Sequence, residues 1–185
     1  MTDKAKQQQL IAAIQAEPDG YDPLIPVAQS AMETGWFEKV IGWNNFWGLQ
    51  YPRSQWRRDM IDRPAVKVPT TEFITLARAK ANPAWLARWV NYHLEDIFEI
   101  SFQDKHKRFK FRVYKKFCDW STEHKAWRYY KAHIKGLWPE AYANRHDAAN
   151  YFPGLFNDNY RFCTENPEKY TKDCLSIHAE LKAAL

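Results

Sequence analysis

The chain of 185 residues carries a formal net charge of +5, and 45% of its residues are hydrophobic and 16% aromatic, including nine tryptophans. This length predicts one domain whose core needs no disulfide or metal, and no stretch is long and apolar enough to cross a membrane. The basic balance favours an anionic partner, such as a cell wall, a nucleic acid or a membrane surface.

The first predicted helix runs from Asp3 to Glu17, and Pro18-Asp19-Gly20 ends it. The N-terminal stretch is polar and lacks the continuous apolar region of a signal peptide, so we expect the chain to be made in the cytoplasm. The three cysteines are an odd and sparse set, which predicts reduced, buried thiols. A single bridge between Cys163 and Cys174 is the alternative.

The second predicted helix carries a glutamate in its last turn. Apolar residues recur at helical spacing between Val27 and Met32, Pro26 suits the first turn, and Gly35 suits the stop. Glu33 therefore lies where the helix dipole disfavours a negative charge. Aromatic neighbours also disfavour that charge, so the sequence predicts a carboxyl group kept protonated near neutral pH, as a general acid requires. These neighbours are Trp36, Phe37, Trp43, Phe46 and Trp47.

The middle of the chain loses the helical period. Prolines and short β-prone runs between residues 46 and 75 predict a small β-rich lobe. A helix is predicted over 84–98, within a segment, 76–108, that we interpret as a helical insertion. The alternating basic and apolar segment 105–116 predicts an edge strand or an extended segment.

Three more helices are predicted over 122–134, 140–150 and 167–181, the first capped by Ser121 and the last by Asn166. The whole chain is therefore expected to form one α+β, mainly helical domain with two lobes, a small β-rich lobe over a helical lobe. A cleft between such lobes would suit an extended ligand.

Two motifs resemble the catalytic stretch of the bacterial glucosaminidase family. They are VAQSAMETGW at Val27–Trp36 and NNFWGL at Asn44–Leu49, against a family pattern of roughly A-Q-S-A-L-E-T-G-W-G followed by N-N-L-F-G-I. The family contains peptidoglycan hydrolases of the flagellar-muramidase and autolysin type with a lysozyme-like fold. The resemblance implies that Glu33 is the catalytic acid. Phe37 departs from the pattern, which has glycine there, and the gap before the asparagines is longer.

A second acidic residue is expected, because glycoside hydrolysis usually needs a pair of carboxyl groups. Thr70-Thr71-Glu72-Phe73 resembles the family's T-x-E-Y segment, which implies that Glu72 is the general base or stabiliser. Glu38, Asp59 and Asp62 are competing candidates. A mechanism assisted by the substrate's own acetamido group would lessen the need for Glu72.

Two later segments also resemble family motifs. Phe111–Tyr114 matches F-R-x-Y, whose implied role is structural, and Arg161–Tyr170 resembles G-Y-A-T-D-P-x-Y with one inserted residue. Phe162 stands where the family has a tyrosine that contacts sugar, and Tyr160 is a candidate to supply the hydroxyl instead. The residues expected to hold the glycan are Asn44, Asn45, Trp47, Tyr160 and Phe162.

The resemblance implies a monomeric peptidoglycan hydrolase that cleaves β-1,4 bonds between N-acetylglucosamine and N-acetylmuramic acid without a metal or cofactor. Such an enzyme would reach the wall through phage-type lysis, as an endolysin does, or by non-standard export. The alternatives are a lytic transglycosylase of the same fold and an inactive wall-binding module. The basic and aromatic run His106–Arg112 is also typical of single-strand nucleic-acid binders, but a basic strand is the simpler interpretation. Neither a nucleic-acid partner nor membrane insertion is expected.

Overall fold

The computed structural model describes residues 3–17, 19–52, 54–157 and 166–184. The chain forms two compact units, Met1–Pro64 with Cys118–Leu185, and Ala65–Phe117. The first unit is helical, and the second combines a three-stranded antiparallel sheet with helices. The predicted α+β, mainly helical fold class is confirmed. Within the described ranges, no helix has both the length and the apolar content needed to cross a bilayer.

The helices of the first unit are α1 (Asp3–Gln15), α2 (Leu24–Thr34), α3 (Gln55–Arg58), α6 (Glu123–Leu137), α7 (Pro139–Ala143), α8 (Ala148–Asn157) and α9 (Pro167–Ala183). The second unit contains β1 (Val66–Thr75), α4 (Leu76–Ala81), α5 (Pro83–His93), β2 (Ile97–Gln103) and β3 (Arg108–Phe117). The side chain of Asn166 accepts hydrogen bonds from the N–H groups of Glu168 and Lys169, as expected for the cap of α9.

Two helix boundaries near the C-terminus differ from the prediction. The cap of α6 is Thr122, whose hydroxyl accepts an N–H of the first turn, whereas Ser121 bonds to a side-chain carboxylate. The helix predicted over 140–150 breaks into α7 and α8. Asp147 accepts the N–H of Ala149 at the start of α8, and this local bond favours a new helix start over continuation.

Aromatic side chains dominate the core of the first unit, in which α2 is buried along most of its length and packs against α9. Trp47 stacks on Tyr130 with ring centroids 4.1 Å apart. Full burial of one such ring stabilises the fold by roughly 1.5–3 kcal/mol. Cys118 and Cys174 are also buried here, as predicted, and Cys163 lies outside the described residues.

The sheet of the second unit has the order β1–β3–β2, so β3 is its central strand. β1 and β2 both run antiparallel to β3, and β1 pairs with it along its whole length. Helix α5 contributes to the core on one face, where Trp89 packs edge-on against Phe111 at 5.0 Å. The predicted extended conformation is found from Arg108 onward, but the predicted edge position is wrong, because both sides of this strand are paired.

The β-rich part of the chain has other limits than those predicted. Residues 46–64 belong to the first unit, and only 66–75 of the predicted β lobe is strand. The segment interpreted as a helical insertion, 76–108, contributes β2 at 97–103 as well as two helices. Strand pairing joins residues that are distant in the chain, so its limits are not visible in local periodicity.

His133 of α6 is a partly buried histidine whose Nδ1 atom is buried and has no hydrogen-bond partner in the described part of the chain. Burial, and after it the nearby charge of Arg57, lower the pKa of His133 to about 4. The unfolded chain therefore binds a proton at a higher pH than the folded chain does. The stability that neutral His133 contributes is complete above about pH 6.5 and is lost as the pH falls toward about 4.

We expect His133→Gln to flatten the decline of unfolding free energy between about pH 7 and pH 4, by up to about 3 kcal/mol, in urea titrations. His124, an exposed histidine of the same helix, offers the matched control, and His124→Gln should keep the wild-type slope. Equal slopes in the two variants would remove His133 as the source of acid sensitivity.

Candidate active site

Glu33 lies in the last turn of α2, which ends at Gly35. That glycine adopts the left-handed conformation at φ 60°, and its N–H bonds to the carbonyl of Ala31. Glu33 is exposed, and its Oε1 atom accepts a hydrogen bond of 2.8 Å from the hydroxyl of Tyr170. The site thus presents a carboxyl group at the surface, with one oxygen held by a residue of α9.

Tyr170 is suited to donate this bond at any working pH. It is almost fully buried. Burial, and after it the negative charge of Glu33, raise the pKa of Tyr170 well above its ordinary value. The hydroxyl therefore stays protonated and points a donor at the carboxyl oxygen. In the sequence Tyr170 is only the last residue of a segment that resembles a family motif, so this contact was not predicted.

The surroundings of Glu33 differ from those predicted. Glu33 is exposed, so the aromatic rings that follow it in the chain do not bury its carboxyl group as predicted. The aromatic residues divide into two sets. Phe37, Phe46 and Trp47 belong to the core, whereas Trp36 and Trp43 are 43% and 67% exposed.

A buried polar network that the sequence did not predict lies on the inner side of α2. Gln29, one turn before Glu33, is fully buried, and its side-chain oxygen accepts a hydrogen bond from Tyr130. The hydroxyls of Tyr130 and Tyr151 are 2.7 Å apart. Burial raises the pKa of both phenols well above the ordinary value, so they stay neutral. The sequence contains one signal for this network, because Gln29 is a polar residue among the apolar residues of α2.

The loop after α2 contains consecutive residues with positive φ, among them Trp36 at 57° and Phe37 at 72°. Thr34 fixes this turn, because its hydroxyl donates to the carbonyl of Ser30 at 2.7 Å and accepts the N–H of Phe37 at 2.9 Å. The backbone at Phe37 thus suits glycine, the residue that the family pattern has there. Phe37 therefore places a buried ring at a position whose positive φ disfavours residues with a side chain.

Asn44 and Asn45 are buried, and their amides bond to the backbone. The Asn45 amide donates to the carbonyls of Leu49 and Cys118 at 2.9 and 3.0 Å, and it accepts the N–H of Leu49 at 2.9 Å. The Asn44 amide donates to the carbonyl of Trp120 at 2.9 Å. Both side chains therefore join segments that are more than 70 residues apart.

The side chain of Trp47 is also buried and bonded in the interior. Its indole N–H donates to the carbonyl of Pro26 at 3.0 Å, and its ring stacks on Tyr130. The side chains of Asn44, Asn45 and Trp47 therefore support the fold, and their contact with sugar stays a prediction. Tyr160 and Phe162, the other residues predicted to hold the glycan, lie outside the described residues.

Glu72, the predicted second carboxylate, lies in β1 of the second unit. Its Oε1 atom is 2.5 Å from Nζ of Lys115 on β3, and the carboxylate is partly exposed. Glu33 and Glu72 thus belong to different compact units.

The competing acidic residues are exposed. Burial acts to raise the pKa of Asp62, but hydrogen bonds from Lys125 and Ser121 outweigh it and lower the pKa to about 2. Asp62 is therefore ionised and unsuited to be a general acid near neutral pH. Asp59 accepts a hydrogen bond from its helical neighbour Gln55 at 2.8 Å.

The solved structure of a peptidoglycan hydrolase mutant from Sphingomonas sp. A1 is similar to this chain, with a TM-score of 0.53 and 16% sequence identity over 97% of this chain and 96% of that chain. The two chains share a fold. The catalytic domain of the autolysin Auto from Listeria monocytogenes aligns over 97% of this chain and 82% of its own, at a TM-score of 0.49 and 10% identity. No protein-family model matches the chain, and no curated protein does.

Proposed function

We propose that this protein is a glycosidase that cleaves the β-1,4 bond between N-acetylglucosamine and N-acetylmuramic acid in peptidoglycan, with Glu33 as general acid. The observation that carries the proposal is the exposed Glu33 carboxyl group held by the buried hydroxyl of Tyr170. Two further observations support the choice of substrate. They are the fold shared with a peptidoglycan hydrolase and the motif resemblance over 27–49.

In this mechanism protonated Glu33 transfers its proton to the bridging oxygen as the glycosidic bond breaks. A general acid in this position contributes roughly 10²–10⁴-fold to the rate. The transfer leaves a negative charge on the carboxylate, and the Tyr170 hydroxyl already donates to one of its oxygens. Tyr170 therefore stabilises the product state of the proton transfer as well as the orientation of the acid.

A second group must activate water or stabilise the positive charge on the sugar. We propose Glu72 for this role, because the segment Thr70–Phe73 resembles the family's T-x-E-Y segment and the Glu72 carboxylate is partly exposed. The alternative is the acetamido group of the substrate.

Tyr170→Phe removes the hydroxyl and keeps the buried ring. Because a hydrogen bond to a charged group contributes roughly 1.5–3 kcal/mol, we expect kcat to fall about 10- to 100-fold while KM changes little. Initial rates on soluble peptidoglycan fragments measure both constants. Tyr142→Phe, at a partly buried tyrosine of α7, is the control that should keep wild-type kinetics. Equal kcat values in the two variants would show that Tyr170 does not support the acid.

We propose that the second unit attaches the enzyme to the anionic wall. Residues 65–117 contain 11 Lys and Arg against five Asp and Glu, whereas the whole chain contains 27 and 22, so the excess positive charge lies in this unit. On one face of the sheet, basic side chains lie beside exposed aromatic rings. The guanidinium carbon of Arg108 is 3.9 Å from the ring centroid of Phe73, and that of Arg112 is 4.9 Å from the ring centroid of Phe98. On this face Glu99 pairs with Arg112 and Lys110, and Asp96 pairs with Lys67, the strand neighbour of Lys116.

Charge reversal on this sheet face should weaken attachment. We expect Lys110→Glu with Lys116→Glu to reduce binding to purified cell walls about tenfold at low salt, with the difference vanishing as added salt screens the charges. A pelleting assay with insoluble walls measures this binding. The matched control reverses two exposed lysines of α9, Lys172 and Lys182, and should bind like the wild type. If both double variants lose wall binding equally, the loss comes from the change in net charge and not from this sheet face.

Digestion of purified peptidoglycan followed by mass spectrometry tests the proposed reaction. A hydrolase releases fragments with a new reducing end, whose identity shows which of the two sugars is cut. Products lighter by one water would instead support a lytic transglycosylase. Tight wall binding without any released product would support a wall-binding module and contradict the proposed activity.

A further inference from the structure

Trp43 is an exposed side chain in a rigidly held backbone. It lies in a tight turn closed by an antiparallel bridge between Ile41 and Asn45. Its exposed fraction, 67%, is the largest among the large apolar side chains in the described part of the chain. Exposure of an indole to water is unfavourable, and an exposed Trp43 contributes little burial of apolar surface to the stability of the fold. The stability of the fold therefore does not explain why a tryptophan lies at this position.

The buried carboxylate of Asp119 holds this turn. Its Oδ1 atom accepts the backbone N–H of Trp43 at 2.9 Å and that of Asn44 at 3.2 Å. The turn also approaches Asp119 so closely that a Cβ atom at Gly42 would lie 2.7 Å from its carboxyl carbon, and Gly42 has a φ of +63°. The backbone that carries the indole is thus fixed by a group in the interior.

The same carboxylate positions a cation beside the indole. Asp119 Oδ2 accepts a hydrogen bond of 2.8 Å from Nε of Arg63. The guanidinium carbon of Arg63 lies 4.3 Å from the ring centroid of Trp43, and the Arg63 side chain is 32% exposed. A guanidinium has four further N–H donors on its two terminal nitrogens, in the fork that matches a carboxylate.

We propose that Trp43 and Arg63 form a subsite for a sugar ring that carries a carboxylate, an inference that rests on the proposed function. The exposed indole surface packs against the apolar C–H groups of the ring, and the guanidinium binds the acidic substituent. In peptidoglycan this carboxylate comes from the lactyl group of N-acetylmuramic acid in peptide-free strands, or from the peptide that is attached there. The subsite favours a muramic acid residue over a neutral sugar.

Calorimetric titration of the full-length Glu33→Gln variant measures binding without turnover. The probes are a neutral N-acetylglucosamine oligosaccharide, a peptide-free glycan with lactyl carboxylates, and a disaccharide that carries its peptide. We expect Trp43→Ala to weaken all three about tenfold or more. Arg63→Gln should weaken an acidic probe about tenfold and leave the neutral probe within about twofold. The acidic probe that responds identifies which carboxylate is bound.

Arg63→Lys provides a second test, because lysine retains an ion pair with Asp119 and lacks the bidentate fork. Its affinity for the responding acidic probe should lie between those of the wild type and Arg63→Gln. The inference is overturned if Arg63→Gln weakens the neutral probe equally, if the folded Trp43→Ala variant binds like its parent, or if none of the three probes binds. Cleavage of peptidoglycan by the unmodified protein distinguishes these failures from a failure of the proposed function.

Discussion

Glu33→Gln is expected to abolish cleavage of purified peptidoglycan while leaving the fold intact. The substitution preserves the size of the side chain and an oxygen that can accept the Tyr170 hydrogen bond, but the amide has no proton to transfer to the bridging oxygen. We expect the rate of release of reducing ends to fall at least about 10²-fold. Thermal unfolding should change little, because Glu33 is exposed.

Glu180→Gln is the matched control for this experiment. Glu180 is an exposed glutamate of α9 in the same unit, and the substitution makes the same change in net charge. It should retain the wild-type rate of cleavage. If Glu33→Gln cleaves at the wild-type rate, Glu33 has no part in the chemistry and the proposed mechanism fails.

Asn45→Ala is expected to destabilise the protein by about 3 kcal/mol, the largest loss of stability that we predict. The substitution leaves the N–H of Leu49 and the carbonyl of Cys118 without the amide that bonds to them in a buried site. Each such loss costs roughly 1–3 kcal/mol. For a chain of this size the expected decrease in melting temperature is about 6–12 °C, measured by calorimetry or circular dichroism.

Asn150→Ala tests whether this effect belongs to the site. Asn150 is an exposed asparagine of α8 whose amide bonds to Asp147 on the same surface. Surface substitutions of this kind change stability by about 0.5 kcal/mol or less. A melting temperature of Asn45→Ala close to that of Asn150→Ala would contradict the structural role of the Asn45 amide.

Local sequence signals predicted the helices of the site well. The position of Glu33 followed from helical spacing and from a glycine that suits a left-handed stop, and Gly35 ends α2 in that conformation. Asn166 caps α9, as its side chain and the following proline indicate. These features depend on residues within one or two turns of each other, so the local sequence contains them.

Contacts across the chain were not predictable in this way. Asn44 and Asn45 were interpreted as ligands of sugar, yet their amides bond to backbone groups near residue 120. Polar residues in a recognised motif can serve either the ligand or the fold, and spacing along the chain does not distinguish the two. The exposure of Glu33 and its contact with Tyr170, 137 residues later, belong to the same class.

The strand assignments show the same limit for the second unit. The alternating pattern of 105–116 identified a strand, but its central place in the sheet depends on β1 and β2 pairing with its two sides. Local periodicity reports which face of a strand is apolar and carries no information about its neighbours.

The amino-acid sequence alone determined the class of fold, the helix that carries Glu33 and the family that the chain resembles, because each depends on short-range spacing or on a motif of adjacent letters. Only the tertiary structure decided which polar groups face inward, which strand is central and which residue holds the Glu33 carboxyl group. These properties arise when segments separated by many residues are packed together, and burial and hydrogen-bond partners exist only after that packing has taken place.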